Sequence, residues 1–363
     1  MRLIVLDEKF DILGSVPLFR TLIWTRRYES LGLFELYTAK EYFGLLDTGK
    51  YLYRNDADEL GVIDEVNYSR NENGEREAYA KGNFAEILLS DRVIDTTITL
   101  KGNAEDAMRD LVARTAISPA DPDRTIQHLK LGEKAGIPGT LDTQVTGVNL
   151  SEKLYEIGKT QEISHRIRYD YLTNDLIFEV WQGKDRRDSQ EENSWAVFSD
   201  SFYNIRDVVY NRNSSSYKNF AYVAGAGEGS SRMIMTVDLR QPGEQRKELW
   251  VDARDLQMQD TFGDAIPLET YKSQLVQRGK EKLAEYRKVE TVNSGIDSNA
   301  NLVYKKDFDL GDYCTYVNKE INKATDKRIT QIMETYEEGT EKISVVFGTD
   351  EAATVQQLIK REV

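Results

Sequence analysis

Leu60–Arg70 reads LGVIDEVNYSR, with Val62, Asp64, Val66 and Tyr68 alternating against Ile63, Glu65 and Asn67. A period of two is the spacing at which successive side chains leave opposite faces of an extended strand. Asn71-Glu72-Asn73-Gly74 follows, residue types that tolerate the backbone of a tight turn, and Glu77–Phe84 returns with strand composition. The stretch is therefore read as a hairpin. Upstream, Arg2–Leu6, Gly32–Tyr37 (GLFELY) and Lys50–Arg54 (KYLYR) have strand length. Leu18–Arg27 (LFRTLIWTRR) places Leu22, Trp24 and Arg26 on one face, and Ile23 and Thr25 on the other. Short strands at this spacing predict a small barrel or meander over residues 1–100.

Downstream the period changes. Asn103 can cap a helix over Ala104–Ala116, with Glu105 and Asp106 in its first turn and Ala104, Met108, Leu111 and Val112 as a core-facing stripe, before Ser118-Pro119 stops it. Ser151 is expected to cap a second helix, with Leu154 and Ile157 inward. Ile163–Tyr169 and Leu176–Trp181 follow as strands, so residues 101–195 read as an α/β middle domain. Gln182–Glu192 (QGKDRRDSQEE) reads as a solvated hairpin connection. Residues 196–363 read as a second β-barrel-like domain with a helical insertion at about 266–289, where Leu268, Tyr271, Leu275, Leu283 and Tyr286 are inward candidates. Its strands include Asn219–Val223, Met233–Leu239, Leu302–Tyr304, Tyr313–Val317, Ile329–Tyr336 and Lys342–Phe347, and Asp350–Val363 is a short helix or frayed end. The expected fold is α+β and β-rich: two small antiparallel β-barrel-like domains with α/β insertions.

Composition narrows the function classes. Of 363 residues, 40% are hydrophobic and 30% charged, a globular balance with enough apolar material for true cores. The net charge of −14 disfavours sequence-independent binding to nucleic acid. Twenty tyrosines suit half-buried sheets and wet protein interfaces. Cys314 is the single cysteine, so no intrachain disulfide forms; its alternating context makes it a small buried hydrophobe. The first apolar run, Leu3–Leu6, is too short for a signal peptide, and no segment reaches the roughly 20 apolar residues of a membrane span.

Motifs for chemistry are weak. Gly225-Ala226-Gly227-Glu228-Gly229 lacks the following helix and the Gly-Lys-Ser/Thr ending of a phosphate cradle, and reads as a hairpin turn. Asp307-Phe308-Asp309-Leu310-Gly311-Asp312 hints at a calcium loop, but glycine is one position early and Asn318 stands where a bidentate Glu belongs. It reads as a strand-entry turn with its carboxylates in water. His128 and His165 are the only histidines; His165 reads as a sheet-surface residue. Trp181, Trp195 and Trp250 are candidates to stack on sugars, or are buried or interface aromatics. No catalytic, cofactor-binding or metal-ligating residue is assigned, and no cofactor is expected.

One stretch carries a resemblance. Leu176–Ile205 contains Gly183-Lys184-Asp185-Arg186, then Gln190, then Val197-Phe198-Ser199 and Asn204-Ile205, in the order of a siphophage tail-protein signature. Trp24–Tyr28 with Gly32–Leu36 resembles that family's opening hairpin, and Tyr222–Gly225 running on to Arg232 resembles its glycine-rich hairpin. Arg278–Leu283, Asp307–Asp312 and Arg328-Ile329-Thr330 resemble the C-terminal part of tail-hub proteins. The resemblance, to gp27-like baseplate or tail-tip hubs, implies a structural role rather than an enzymatic one. It implies a homotrimer that closes the distal end of the tail tube. The implied partners are the tube or distal tail protein, the tape measure protein and tip or receptor-binding proteins. The implied location is the virion tail tip, after synthesis in the host cytoplasm. DNA would pass through the lumen without stable binding. Gly183 and Gly311 are expected as turn formers, and Arg186 and Arg232 as salt-bridge or interface cations. Relatives with long C-terminal extensions carry a lytic or receptor module; with the chain ending at Val363, none is expected here. The alternatives are a host-surface carbohydrate-binding tail protein and a peptidoglycan-degrading enzyme.

Overall fold

The computed structural model describes residues 1–70, 76–259, 264–297, 300–337 and 339–348. The Asn71–Gly74 turn and the Asp350–Val363 tail lie outside them. The chain folds into two compact units, one from Met1–Ile87, Arg166–Asn211 and Glu290–Val363, the other from Leu88–His165 and Arg212–Val289. No helix among the described residues is long and apolar enough to cross a membrane.

The first unit is organised by one sheet. Its strand order is Ile205–Asn213, Val289–Ile296, Thr340–Gly348, Lys323–Glu337, Phe19–Arg27, Leu33–Ala39, Arg76–Phe84, Leu60–Arg70, Tyr51–Arg54, Leu3–Leu6 and Ile12–Ser15. Tyr313–Asn318 branches from Lys323–Glu337, and Val197–Ser199 lies parallel beside it. The sheet is open, and two separate barrels do not form among the described residues. The reason is the Lys323–Glu337 strand. Its first part, Lys323–Arg328, pairs with Tyr313–Asn318; its second, Gln331–Glu337, pairs with Phe19–Arg27. One long strand thus joins the N-terminal and C-terminal strands in a single sheet.

Each half of the sheet keeps its own core. Around the N-terminal strands, Leu22, Trp24, Phe34, Leu36, Leu52 and Phe84 are buried together, with Trp24 and Phe84 ring centroids 4.6 Å apart. Around the C-terminal strands, Phe198 meets Phe308 at 5.1 Å and Phe347 at 4.8 Å, above Cys314, Ile332 and Val345. Each such side chain contributes roughly 1.5–3 kcal/mol when fully buried. Alternation in Leu22, Trp24 and Arg26 is realised inward. In Leu60–Arg70 it is interrupted: Ile63 pairs with Gly82 and Glu65 with Lys81, so Asp64 is an extra residue. This bulge passes the inward face from Ile63 to Val66, and both pack against the same core.

The second unit carries the helices. Asn103 caps α1 (Ala104–Val112) by accepting from the Asp106 N–H at 3.1 Å, and the helix loosens through a π turn over Ala113–Ile117. The cap of α2 (Leu150–Gln161) is Asn149, not Ser151; its Oδ1 accepts from Glu152 N–H at 3.2 Å, and Ser151 is buried two residues too late. α3 spans Leu268–Ala284 and stops short of Val289, which begins a strand; Leu268 is exposed, whereas Tyr271, Leu275 and Leu283 are buried. α3 lies on a three-stranded sheet in which Phe220–Ala224 pairs antiparallel with Ile234–Asp238 and parallel with Glu248–Asp252. The Gly225–Gly229 loop is the hairpin connection expected. Arg232 closes it, donating to Gly225 O and Ala224 O at 2.9 Å each and to Asp252 at 2.6 Å. Leu302–Tyr304 forms no strand; Tyr304 makes only an isolated bridge to Phe308.

Candidate functional site

The chemistry-bearing stretches identified in the sequence converge in the first unit, on Asp312. Gln182–Glu192 does not return as a solvated hairpin. It runs beside the Asp312–Thr315 backbone: Tyr313 N–H donates to Lys184 O, and Arg186 N–H donates to Tyr313 O, each at 2.8 Å. Ala196 N–H then donates to Arg186 O at 2.8 Å, and Val197–Ser199 continues along Thr315–Val317. The backbone of Lys184 and Arg186 and the Arg186 side chain find fixed partners there, while Asp188, Ser189, Glu191 and Glu192 stay exposed.

The Asp312 carboxylate is the centre of this knot. Oδ1 accepts from Lys184 N–H at 2.8 Å; Oδ2 accepts from Arg186 Nε at 2.7 Å and from Asp309 N–H at 3.0 Å. Asp312 is 4% exposed and Arg186 7%. Burial pushes the Asp312 carboxyl above its ordinary range, and the two backbone N–H groups and Arg186 oppose that shift. Arg186 also donates to Ser194 Oγ at 2.6 Å. Gly183 is required by contact: a Cβ there would overlap the Gly311 carbonyl. Gly311 has φ +81°, the left-handed region, and a Cβ on it would meet Tyr28 at 2.6 Å and Trp181 at 2.8 Å. Gln190 ties the loop to itself, its Nε2 donating to Arg187 O and Asn193 O and its Oε1 accepting from Glu192 and Asn193 N–H. Asn204 does the same for the following turn, accepting from Ser199 N–H and donating to Val197 O, both at 2.8 Å.

A chain of charges, buried except at half-exposed Asp309, runs from the knot to the N-terminal strands. Asp309 accepts from Arg26 Nη1 at 2.6 Å, and Arg26 Nε pairs with Glu59 at 2.6 Å. Burial alone would raise the Glu59 carboxyl, but Arg26, a backbone N–H and Trp24 Nε1 hold it down at about 2. Tyr304 accepts from Arg26 at 3.0 Å and donates to Glu334 at 2.8 Å. Glu334 pairs with Arg54 at 2.5 Å, both 1% exposed, and Arg54 lies 5.2 Å from the Trp24 ring centroid. The opening hairpin, the signature loop and the Asp307–Asp312 turn are thus one network.

This overturns several expectations. Of the Asp307–Asp312 carboxylates, Asp312 is buried on Arg186, whereas Asp307, accepting from Val303 N–H, and Asp309, paired with Arg26, keep part of their surface in water. Among the described residues no His, Cys, Asp or Glu cluster is placed to hold a metal. His165 is buried rather than on a sheet surface; burial drives its pKa down to about 3, and Tyr155 of α2 packs 4.4 Å from its ring. Trp181 packs edge-on to Tyr28 at 5.0 Å and takes no open stacking position, whereas Trp195 and Trp250 are exposed. Cys314 is buried as expected, and burial pushes its thiol well up. The Arg54–Glu334 pair was missed in the sequence, although each charge falls in phase with an inward apolar residue, Leu52 and Ile332.

In the second unit Arg278–Leu283 is also structural. Arg278 forks onto Asp255 at 2.9 and 3.0 Å, Glu281 pairs with buried Lys153 at 3.0 Å, and Gly279 lets α3 approach Val223 and Val237.

A strand-rich chain with its signature residues consumed in an internal network has the fold of phage tail proteins. It aligns with the prophage tail protein gp18 from Listeria monocytogenes EGD-e over 99% of each chain (TM-score 0.57, 12% identity). It aligns with a tail protein from Neisseria meningitidis MC58 over 97% of this chain and 98% of that one (TM-score 0.58, 13% identity). It also aligns with the 43 kDa tail protein of prophage MuSo2 from Shewanella oneidensis over 98% and 100% (TM-score 0.59, 11% identity). The chain belongs to the Siphovirus ReqiPepy6 Gp37-like protein family, whose model matches residues 2–349. No curated protein matches it.

Proposed function

We propose that this chain is a structural subunit of a siphophage or prophage tail tip, a hub that works by assembling. The observation that carries the reading is the family match over residues 2–349, nearly the whole chain. The geometry supports it: Asp185, Arg186, Gln190 and Asn204 of the signature are spent on hydrogen bonds and ion pairs that fix a shape, and Gly183 on close approach to the Gly311 backbone. In this reading three copies form a ring at the distal end of the tail tube, with the tube or distal tail protein above, the tape measure protein within and tip proteins below. Each copy contributes two sheet halves with separate cores, so a trimer offers six β-rich segments to a hexameric tube. Ring closure needs a heterologous interface whose rotation returns to its start.

The test is reconstitution of the purified chain with the tube and distal tail proteins, read by mass measurement and electron microscopy. A threefold ring capping the tube is expected. A chain that stays monomeric and fails to join either protein at high concentration sinks the proposal. Incubation with purified peptidoglycan is expected to release no fragments; steady release would replace the hub reading with the enzymatic one.

A further inference from the structure

We propose that Tyr53 and Tyr171, with the carboxylates of Asp58 and Asp170, form a docking site for an arginine side chain carried by a second protein. All four residues lie in the first unit. Tyr53 stands on the Tyr51–Arg54 strand, and Tyr171 directly follows the Ser164–Asp170 strand. Their rings stack, with centroids 5.0 Å apart and planes 4° from parallel. Tyr169 backs the pair edge-on, 5.3 Å from Tyr53 and 6.5 Å from Tyr171, and Phe10 packs on Tyr169 at 5.4 Å. Tyr169 and Phe10 are buried, so the pair is fixed from behind, while Tyr171 is 40% exposed. The two acids flank the rings. The Asp58 carbonyl accepts from Tyr169 N–H at 2.9 Å, and the Asp170 carboxylate accepts from Leu172 N–H at 2.9 Å, closing the turn that bears Tyr171. Asp58 is exposed and Asp170 half-buried. Burial first, then Tyr171 and the Asp56, Asp170 and Asp58 carboxylates, push the Tyr53 hydroxyl above its ordinary range, so these acids lie within electrostatic reach of it.

Elsewhere on its surface the chain completes the same combination of tyrosine and carboxylate with a cation of its own. Arg187 lies 4.8 Å from the Tyr313 ring centroid and pairs with Asp185 at 2.6 Å. Arg20 lies 5.6 Å from that of Tyr37 and pairs with Glu77 at 2.7 Å. Lys288 lies 4.5 Å from that of Tyr217 and pairs with Glu244 at 2.6 Å. The negative face of the ring attracts the cation, and the carboxylate binds its N–H groups. At Tyr53 and Tyr171 the rings and acids are in place without the cation: among the described residues no lysine, arginine or histidine pairs with Asp58 or Asp170, or lies over either ring. Arg54 is spent elsewhere, since it is buried and pairs with Asp56 at 3.0 Å and with Glu334. Two unmatched carboxylates beside an exposed ring complement a positive charge and repel the phosphates of nucleic acid or lipid. A guanidinium fits better than an ammonium, because it is planar and can stack on Tyr171 while its edge forks onto a carboxylate. A chain of net charge −14 makes a basic segment of a different protein the fitting source.

The experiment is NMR titration of the full chain, with isotope-labelled tyrosine rings, against three acetylated and amidated pentapeptides: GRGRG, GKGKG and GQGQG. GRGRG is expected to shift the Tyr53 and Tyr171 ring signals with a midpoint at millimolar concentration, GKGKG to bind more weakly and GQGQG not at all. Raising the salt from about 0.02 M to about 0.5 M should weaken the binding of GRGRG. Asp58→Asn with Asp170→Asn keeps the acceptor of the Leu172 N–H and should weaken it about fivefold, the scale of two exposed ion pairs. Tyr171→Leu, at an exposed position, keeps an apolar side chain without the ring and should weaken it about threefold. Glu191→Gln with Glu192→Gln removes as much charge from exposed sites in the Gln182–Glu192 loop and should change nothing. No shift of either ring by GRGRG at about 10 mM overturns the proposal, as does equal binding of GQGQG or GKGKG. Binding that survives both the aspartate and the Tyr171 variants, or falls equally in the Glu191 and Glu192 variant, also overturns it. Concentration-dependent self-association that shifts the same rings and is lost in Tyr171→Leu would assign the site to a second copy of this chain and overturn it too.

Discussion

Replacing Asp312 by alanine removes the acceptor of three donors from two stretches of chain: the N–H of Lys184, the Arg186 guanidinium and the N–H of Asp309. Arg186 would keep its bond to Ser194 but lose its counter-charge in a site where it is only 7% exposed. Breaking a buried ion pair from one side costs about 3–5 kcal/mol, because the remaining charge stays desolvated. Each orphaned buried N–H adds roughly 1–3 kcal/mol, and relaxation of the loop recovers part of the sum. The net expectation is a loss of about 4 kcal/mol, large against the roughly 5–15 kcal/mol of a typical domain. Asp312→Asn keeps an acceptor and the shape but not the charge, and should cost about half as much. Urea unfolding followed by tryptophan fluorescence is the assay, since Trp181 packs on Tyr28 beside Gly311 in this knot. A double-mutant cycle with Arg186→Met isolates the pair, and a coupling above about 2 kcal/mol is expected. An Asp312→Ala variant within about 1 kcal/mol of wild type, or a coupling near zero, would refute the claim that this carboxylate organises the loop.

Gly183→Ala should be worse than its chemistry suggests, because the added methyl overlaps the Gly311 carbonyl; a thermal midpoint equal to wild type would show that the two backbones are not in contact. Glu86 has one carboxylate oxygen on the Ile167 N–H at 2.9 Å and the other buried without a hydrogen-bond partner, and burial raises its pKa from 4.5 to about 7. The folded state therefore favours the proton: this stabilisation is complete below about 4.5 and is lost as pH rises through about 7, amounting to roughly 3 kcal/mol. Glu86→Gln should flatten the urea-midpoint profile over that window, and an unchanged slope would count against the burial argument. Glu59 has the opposite sign, so its contribution is present above about 4.5 and disappears as pH falls through about 2; the stability curves of wild type and Glu59→Gln should lie apart above about pH 4.5 and converge as pH falls toward about 2.

Much of the local structure was legible in the chain. Alternation in Leu22, Trp24 and Arg26 fixed which side chains face inward, Asn103 announced the start of α1, and Gly225–Gly229 marked a hairpin. These signals are local, because side-chain direction and cap chemistry are set within a few residues. The bulge at Asp64 was not legible, since one extra residue inverts a face without changing composition.

By itself the sequence determined that the chain is strand-rich, that three helices interrupt it and which family it resembles. Only the tertiary structure decided that Phe19–Arg27 lies beside Lys323–Glu337, some three hundred residues away, and that this contact merges two expected barrels into one open sheet. Only it could join Arg26 to Asp309 and Arg186 to Asp312. Periodicity states which way a side chain points, whereas a buried charge is matched by whichever opposite charge the fold brings within hydrogen-bonding reach. That choice rests on long-range strand pairing, which no local pattern encodes.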